Sequence, residues 1–532
     1  MSKLQKAIPV NSAMVGLTGS PGVEEHGMQQ KQRGERGRSR QTSKGQSIGE
    51  QGSTPRTPKS LLPGSQMCLS TLSLGKPSTR GRTMGEYDLS RRNVMACTET
   101  LMMTETKLKR IATLSAGNPE MRFTQMMHHF NEESLLACYH ELDGKKAKGI
   151  DGIDKASYGK ELATNLKDLV QRMNRMAYIP GPVRQVQIPK EGKPGATRPL
   201  GISNFEDKIV QKMMQKILES VYEPLFYESS YGFRPGRGCH DAIKALQNHL
   251  NDHEVETVID VDLSNFFGSI DRKLLIEIIN KKIGDPRLVR YLVRMFKAGV
   301  LSEGELSYDD EGVVQGSACS PILANVFAHE VIDEWMEEIV KPLCTGTVKM
   351  VRYADDLVIC CRYGQDAVRI KQVLGKRLAK YKLKMNEDKT KLVKFSKRRQ
   401  QQGEAQETFD FLGFTFYLGE SLKGRIIPKV KTKGKTLRAK LKKVNVWAKE
   451  IRNKYTLNNI IKRAAVKLRG HIQYYGVSHN FVSVSSFVIR VRHILFKWLN
   501  RRSQRKSFTW AQFQLLLDRA EFPKAKIYYP LF

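Results

Sequence analysis

The sequence predicts an α+β fold that is preceded by a disordered segment and followed by an all-helical region. Three observations predict it: residues 1–104 are rich in small and polar residues and contain no Phe or Trp, strand-like and helical patterns alternate between about 180 and 420, and only helical periodicity follows Lys429. At 532 residues the chain exceeds the size of a single hydrophobic core, so two or three compact units are expected.

The first 104 residues are rich in Gly, Ser, Thr, Pro, Gln and Arg, and no Phe or Trp occurs before Phe123. Such a segment cannot bury enough apolar surface to offset chain entropy, which predicts disorder. Two interpretations remain open. The segment is either a basic RNA-binding arm, or a translated leader upstream of a true start at Met84, Met95 or Met102.

Residues 105–425 are predicted to fold as the α+β domain. Leu108, Ile111 and Leu114 recur at helical spacing, and a second helical pattern follows a predicted N-cap at Asn131. The strand-like runs are Val183 to Pro189, Glu256 to Leu263, Lys349 to Arg352, Leu357 to Arg362 and Lys391 to Phe395.

Residues 426–532 are predicted to be helical and basic. The first of three amphipathic helices carries Arg438, Lys440, Lys442 and Lys443 beside an apolar face. That face contains Leu437, Leu441, Val444, Trp447 and Ile451. The second helix runs from Leu457 to Tyr475 and the third from about Phe487 to Arg501.

The net charge is +35, from 89 Lys and Arg against 54 Asp and Glu. This excess exceeds what solubility requires and indicates a polyanionic partner, nucleic acid, rather than a merely basic protein. The eight cysteines show no C-x2-C spacing typical of zinc sites. No secretory signal and no window of about 18 apolar residues is present, which predicts a cytoplasmic protein without membrane contact.

Two acidic segments carry the chemistry. In the stretch from Val351 to Cys360, Asp355 and Asp356 are predicted at the turn of a hairpin between apolar strands, and a second apolar run ends at Asp262. Adjacent carboxylates repel one another unless a divalent cation neutralises them, and hard oxygen ligands suit Mg²⁺. Nucleotidyl transfer needs two such ions about 3.5 to 4 Å apart. An ordinary hairpin tip with solvated acids is the alternative.

From about Thr106 to Phe532 these segments, in this order, resemble the group II intron-encoded reverse transcriptases and maturases of the bacterial type. The matching blocks include Lys148 to Gly152, Arg198 to Ile202, Tyr231 to Arg237, Gln315 to Asn325, Tyr353 to Asp356, Asn386 to Thr390, Phe411 to Phe414 and Leu468 to Tyr475. The resemblance implies a right-hand polymerase whose fingers and antiparallel palm span 105–425. A helical thumb/maturase region and a short DNA-binding region would follow over 426–532, without an HNH endonuclease.

The resemblance also implies roles for individual residues. Asp262, Asp355 and Asp356 would bind two Mg²⁺ ions with the backbone carbonyl of Leu263, and Phe267 would be the aromatic gate that excludes ribonucleotides. The residues implied in nucleotide binding are Arg184, Lys190, Arg198 and Gln315, and Lys193 competes with Lys190. Phe266 and Phe267 cannot both be gates, because at least one is expected in the core.

Nucleic-acid contacts are predicted in two places. Phe233, Arg234 and Arg237 combine an aromatic ring and cations in a glycine-containing loop, a mixture suited to a sugar-phosphate track, although a structural turn is the alternative. Arg438 and Lys442 lie on the first basic helix, where the family holds a duplex. The implied partners are intron RNA, an RNA template, a DNA primer or target, and dNTPs.

Three hypotheses of function follow: an active reverse transcriptase with maturase function, an RNA-binding splicing maturase with a vestigial polymerase, and a reverse transcriptase repurposed for phage defence. The intact acids argue against the second, and nothing in the sequence excludes the third. The intron served, the choice of DNA target, fidelity, processivity and oligomeric state stay open.

Overall fold

The computed structural model describes residues 102–189, 195, 197–252, 254–302, 305–307, 312, 316–504 and 507–531. The predicted disordered leader lies outside the described residues up to position 101, as do Lys190, Lys193 and Gln315. Helix α1 covers residues 102–117 and buries Leu108 and Ile111. The folded part therefore includes residues 102–104, which composition assigns to the leader.

The strands of the described chain form three sheets, with the orders β2-β1-β4-β5, β6-β7-β3-β8 and β11-β10-β9. The strands are β1 Val183–Pro189, β2 Thr197–Ile202, β3 Thr257–Asp262, β4 Val300–Ser302, β5 Glu305–Ser307, β6 Val348–Tyr353, β7 Asp356–Cys361, β8 Lys391–Lys394, β9 Phe409–Phe411, β10 Phe414–Glu420 and β11 Ile426–Thr432.

The helices surround these sheets, and those of the C-terminal region follow the last strand. After α1 they are α2 Glu132–Glu141, α3 Lys155–Tyr158, α4 Leu162–Asn174, α5 Phe205–Tyr222, α6 Cys239–Asp252, α7 Arg272–Lys282, α8 Pro286–Phe296, α9 Ser320–Ala328, α10 Gly364–Lys380, α11 Lys397–Gln401, α12 Gly434–Ile451, α13 Leu457–Tyr475, α14 Phe481–Leu499 and α15 Trp510–Arg519. Two π-helical segments, His329–Asp333 and Trp335–Val340, extend α9. In the described part of the chain, no helix is long and apolar enough to cross a membrane.

Strand β3 lies at the centre of the fold because both of its faces are buried. Ile259 and Val261 belong to one hydrophobic cluster, together with helices α5, α9 and α10. Val258 faces the opposite way and belongs to a second cluster, together with β9 to β11 and helices α12 to α14. Alternate residues of a strand point to opposite faces, so Asp260 and Asp262 share the face of Val258. The sheet therefore presents its acids on the side of the C-terminal helices.

The predicted α+β class is confirmed, and β1 has the predicted bounds. Asn131 caps α2, since its side chain accepts a hydrogen bond from Ser134 N–H. The prediction that strands stop at Lys429 is wrong, because β11 continues to Thr432. Lysines alternate there with buried residues such as Val430, so the charged face conceals a strand pattern of period two.

In the described part of the C-terminal region, four helices follow β11, whereas three were predicted. Helix α13 has the predicted bounds, whereas α14 begins at Phe481, before the predicted start at Phe487. Helix α15 was not predicted. Its signal was present in the sequence, since Thr509 and Gln512 form a reciprocal capping box at its first turn.

Candidate active site

The acidic hairpin joins β6 to β7 by a two-residue turn. Tyr353 pairs with Asp356, so Ala354 and Asp355 form the turn, and Ala354 has a positive φ of 58°. Asp356 is therefore the first residue of β7 and not a turn residue, which corrects the prediction that both acids lie in the turn. The turn has only two residues because the pairing of β6 with β7 continues to Tyr353 and Asp356.

The structure brings Asp262 and Asp356 together. They are paired residues of the antiparallel strands β3 and β7, and side chains of directly opposed residues lie on the same face of a sheet. Asp355 adjoins this pair from the turn. Acids that are 93 and 94 positions apart in the sequence thus meet at one end of the sheet, through a register that the sequence does not reveal.

Burial and repulsion between carboxylates together set the electrostatics of this sheet end. Loss of hydration, followed by the charges of Asp355 and Asp262, raises the pKa of Asp356 to about 6. Desolvation and the charges of Asp356 and Asp410 likewise raise the pKa of Asp260 to about 6. The charge of Lys433 opposes both shifts. The site thus holds more negative charge than its own cations neutralise, which favours binding of a further cation.

Two lysines compete for these carboxylates. Lys389 Nζ lies 2.5 Å from Asp262 Oδ2, and Lys433 Nζ lies 3.1 Å from Asp410 Oδ2. Among the residues that the structure describes, no three acidic, histidine or cysteine side chains already converge as a metal cluster. The carboxylate of Asp262 is paired with a lysine in this structure.

A cleft of about 450 Å³ opens beside these groups. Its charged lining consists of Asp260, Asp262, Asp356, Asp388, Lys389, Lys391, Asp410 and Lys433. Sequence reasoning did not single out Asp260, Lys389, Asp410 or Lys433. Asp260 could have been found, because it lies two residues before Asp262 on the same strand face. Asp410 and Lys433 have no pattern in the sequence that would identify them, because only the folding of β9, β10 and β11 into one sheet brings them together.

The end of β3 is held from behind by the segment Asn386 to Thr390. Asn386 N–H donates to the carbonyl of Asp262 at 2.8 Å, and Asp262 N–H donates to the hydroxyl of Thr390 at 3.3 Å. Leu263, predicted to offer its carbonyl to a cation, forms an isolated bridge with Met385, and its side chain is buried. The backbone that would carry the first acid is therefore fixed on both sides.

The two phenylalanines after β3 differ in exposure. Phe266 is buried in the core, whereas Phe267 is half-buried. The ring of Phe267 meets that of Phe233 edge to face, with centroids 6.2 Å apart. Phe233 is 49% exposed and has a positive φ of 58°. Of the two candidates for the gate, Phe267 is thus the one whose ring is partly free.

Arg234 does not have the role predicted for it. Its guanidinium is buried and donates to Glu223 Oε1 at 2.8 Å, to the carbonyl of Tyr227 at 2.7 Å and to that of Ser230 at 2.9 Å. The prediction that it contacts nucleic acid is wrong, because its donors are used to close its own loop. Arg237 is half-buried and donates to the carbonyl of Glu228 at 2.9 Å.

The predicted nucleotide-binding arginines lie on the hairpin of β1 and β2. Arg184 is opposite Ile202 and Arg198 is opposite Ile188, which puts both arginines on one face of the hairpin. Both side chains are exposed, and Arg184 Nη2 donates to the carbonyl of Lys148 at 2.8 Å. Lys190, Lys193 and Gln315 lie outside the described residues.

Gly316, next to Gln315 in sequence, approaches β2 closely. Its φ is +114°, and a Cβ at this position would lie 2.2 Å from the carbonyl oxygen of Gly201. Only glycine permits this approach. Arg438 and Lys442, predicted to contact a duplex, are both exposed on α12.

Comparison with known proteins agrees with this site. The family model described as "Reverse transcriptase (RNA-dependent DNA polymerase)" matches residues 188–416. The chain is 30% identical over 320 residues to "Protein YkfC" of Escherichia coli. The aligned residues cover 53% of this chain and 83% of that protein. It is 26% identical over 474 residues to "Group II intron-encoded protein LtrA" of Lactococcus lactis subsp. cremoris, covering 73% and 76%.

A more distant relative is "Nuclear intron maturase 2, mitochondrial" of Arabidopsis thaliana, which is 28% identical over 175 residues, 26% of this chain and 24% of that protein. The matched reverse transcriptase region contains the acidic hairpin, the end of β3 and every residue that lines the cleft except Lys433. The chain belongs to the reverse transcriptases and maturases encoded by group II introns, and it is an RNA-directed DNA polymerase.

Proposed function

We propose that the protein copies RNA into DNA by two-metal nucleotidyl transfer, with Asp262, Asp355 and Asp356 as the catalytic carboxylates and the carbonyl of Leu263 as a further ligand. The observation that carries the proposal is the pairing of Asp262 with Asp356 at the ends of two adjacent strands, with Asp355 beside them in the turn. Carboxylates from separate strands can bridge two cations only when the strand ends coincide in this way.

The donor set fits Mg²⁺. Reverse transcriptases generally use divalent metals, and carboxylate and carbonyl oxygens are the hard ligands that Mg²⁺ prefers. Desolvation and repulsion among the acids raise the pKa of Asp356, and a divalent cation would relieve that repulsion. Bound there, two ions would activate the primer 3'-hydroxyl and neutralise charge on the leaving pyrophosphate. Lys389 would pair with the carboxylate of Asp262 only while no cation is bound. It would move away from Asp262 when a cation binds.

Phe267 selects deoxynucleotides in this proposal. A ring that is half-buried and braced by Phe233 cannot easily turn aside, so a ribose 2'-hydroxyl beside it would clash. Arg184 and Arg198, exposed on one face of the β1–β2 hairpin, would bind the triphosphate. Lys190, with Lys193 as its competitor, and Gln315 complete the proposed nucleotide site on the strength of the sequence alone.

The fold is proposed to act as a right hand. Residues 105–425 would form fingers and palm, and the helical region would form the thumb, the maturase surface and a short DNA-binding region. We place the boundary after Thr432, because β11 ends there. Arg438 and Lys442 on α12, with Phe233 and Arg237, would contact the backbone of the template–primer duplex. The same basic helices would grip intron RNA and so support splicing and mobility.

Primer extension tests the polymerase proposal. Purified protein, an RNA template, a DNA primer, dNTPs and Mg²⁺ are expected to give cDNA, and Asp356→Asn is expected to lower the rate by about a thousandfold or more. Asp168→Asn is the matched control, since it makes the same change at an exposed acid on α4. Equal rates for wild type and Asp356→Asn would reject the assignment.

The maturase function is tested separately. Retention of excised intron RNA by the protein, and acceleration of its splicing, are expected to survive Asp356→Asn, because RNA binding uses the basic helices and not the acids. Loss of both activities on substitution of this one acid would mean that the two functions are not separable in this way.

A further inference from the structure

Arg352, just before the acidic turn, is the largest fully buried side chain of the described residues, with 1% of its surface exposed. Its Nε donates to Asp333 Oδ1 at 2.7 Å, and its Nη2 donates to Asp333 Oδ2 at 2.5 Å. The partner carboxylate is completely buried. Arg352 and Asp333 therefore form a bidentate ion pair inside the core, directly beneath the acidic hairpin.

The same guanidinium reaches the turn. Arg352 Nη1 donates to the carbonyl of Ala354 at 3.1 Å and to Asn325 Oδ1 at 3.2 Å. Ala354 is held at a φ of 58°, a left-handed conformation that is unfavourable for a residue with a Cβ atom. Such conformations persist only where the surroundings over-determine them. The hydrogen bond from Arg352 is one of the contacts that do so.

Asn325 holds the turn from a second side. Its Nδ2 donates to the carbonyl of Gly232 at 2.7 Å while its Oδ1 accepts from Arg352. Gly232 packs so closely on the turn that a Cβ there would lie 2.2 Å from Ala354 N. Asn325 thus fixes the spacing between the segment that presses on the turn and the guanidinium that supports it.

A gain in folding stability explains neither the buried ion pair nor the π-helical segment that carries Asp333. A buried ion pair gains little over apolar residues of similar size, because both charges lose their hydration. Asp333 is presented by the π-helical segment His329–Asp333, and π-helical turns are rare and concentrate at functional sites. The Arg352–Asp333 pair is buried at a cost in hydration, it involves a rare backbone conformation, and it contacts the turn that carries an active-site acid. Together these features indicate that the pair shapes that turn.

The geometry points to Arg352, Asp333 and Asn325 as positioning residues that hold the Ala354–Asp355 turn so that the carboxylates of Asp355 and Asp356 face the cation site. The inference rests on the proposed function of those acids. All three side chains are buried, so contact with a nucleotide or cation is not their proposed role. They act through the turn, as partners outside the coordination sphere orient ligands in metal sites.

The test compares Arg352→Lys with Ser230→Ala. Lysine keeps the charge that Asp333 requires but lacks the planar fork that reaches Ala354 at the same time. Ser230→Ala removes a different contact of the same guanidinium, the hydrogen bond from Nη2 to Ser230 Oγ at 2.7 Å, and leaves the contact with the turn. Binding of Mn²⁺, a spectroscopic substitute for Mg²⁺, is measured by electron paramagnetic resonance on protein with a chain-terminated primer, and thermal unfolding is recorded for each variant.

For Arg352→Lys, the Kd for Mn²⁺ and the Mg²⁺ concentration for half-maximal extension are expected to rise about tenfold or more, with kcat falling in proportion. The KM for dNTP is expected to change by less than about threefold, because the proposed triphosphate ligands Arg184 and Arg198 lie on the β1–β2 hairpin and not on the turn. Ser230→Ala is expected to match wild type in Mn²⁺ affinity.

Unchanged Mn²⁺ affinity in a folded Arg352→Lys protein would overturn the inference. If that variant does not fold, Asn325→Ala takes its place, because it keeps the ion pair and removes the bridge to Gly232. Wild-type Mn²⁺ affinity in folded Asn325→Ala would overturn the inference equally. Absence of Mn²⁺ binding and Mg²⁺-dependent extension in the wild type would instead reject the proposed function of the acids.

Discussion

Arg234 offers a sharp distinction between a structural and a nucleic-acid-binding cation. The perturbation is Arg234→Met, which keeps most of the apolar stem and removes the guanidinium. The three short hydrogen bonds, to Glu223, Tyr227 and Ser230, are lost together. At about 1 kcal/mol for each bond, the free energy of unfolding is expected to fall by about 3 kcal/mol. The loss should not be larger, because the Glu223 side chain is 27% exposed and regains water.

The assay has two parts. Urea-induced unfolding measures stability, and the salt dependence of template–primer affinity counts phosphate contacts. Because Arg234 contacts no phosphate in this account, Arg234→Met is expected to leave the salt slope unchanged. Lys442→Gln, an exposed cation on α12, is expected to lower that slope by about one unit without changing stability. An Arg234→Met protein with wild-type stability and a reduced salt slope would refute the structural role.

Three further outcomes are expected. Phe267→Val should raise ribonucleotide incorporation relative to deoxynucleotide about tenfold or more in primer extension, whereas Phe266→Val should lower stability without changing that ratio; equal selectivity of the wild type and Phe267→Val would contradict the gate. The pKa of Asp356 is raised to about 6, and its carboxylate must be ionised to bind a cation. Primer extension at limiting Mg²⁺ should therefore slow as the pH drops through about 6, and excess Mg²⁺ should move this inflection to lower pH. An extension rate that depends on neither pH nor Mg²⁺ concentration in this range would contradict the prediction. Gly232→Ala should abolish extension or prevent folding, because the added Cβ would lie 2.2 Å from a backbone nitrogen, that of Ala354, and normal activity of a folded variant would show that the turn can move.

The sequence predicts those parts of the fold that have a local signal. The central strand β3 was found because Val258, Ile259 and Val261 form a short apolar, β-branched run, and α13 was found with its bounds because its buried residues recur at helical spacing. Strand β11 was cut short because its lysines alternate with buried residues and resemble the basic region that follows. Helix α15 was missed because its capping residues were not weighed.

The candidate site divides in the same way. The acids were found because an apolar run that ends in aspartate is a local feature, but the pairing of Asp262 with Asp356 depends on strand register. The partners of these acids, Lys389 and Lys433, approach through tertiary structure and could not be read from spacing. Arg234 was misassigned because the composition of a loop does not reveal whether a guanidinium points inward or outward.

The proposed mechanism requires that the three aspartates hold a pair of divalent cations. The most direct measurement is Mn²⁺ titration of the protein bound to a chain-terminated primer, RNA template and dNTP, followed by electron paramagnetic resonance. Two bound ions about 4 Å apart, with the spin coupling that this distance produces, are expected in the wild type, and both the coupling and the second ion are expected to be lost in Asp356→Asn. Binding of two coupled ions to Asp356→Asn with wild-type affinity would contradict the account.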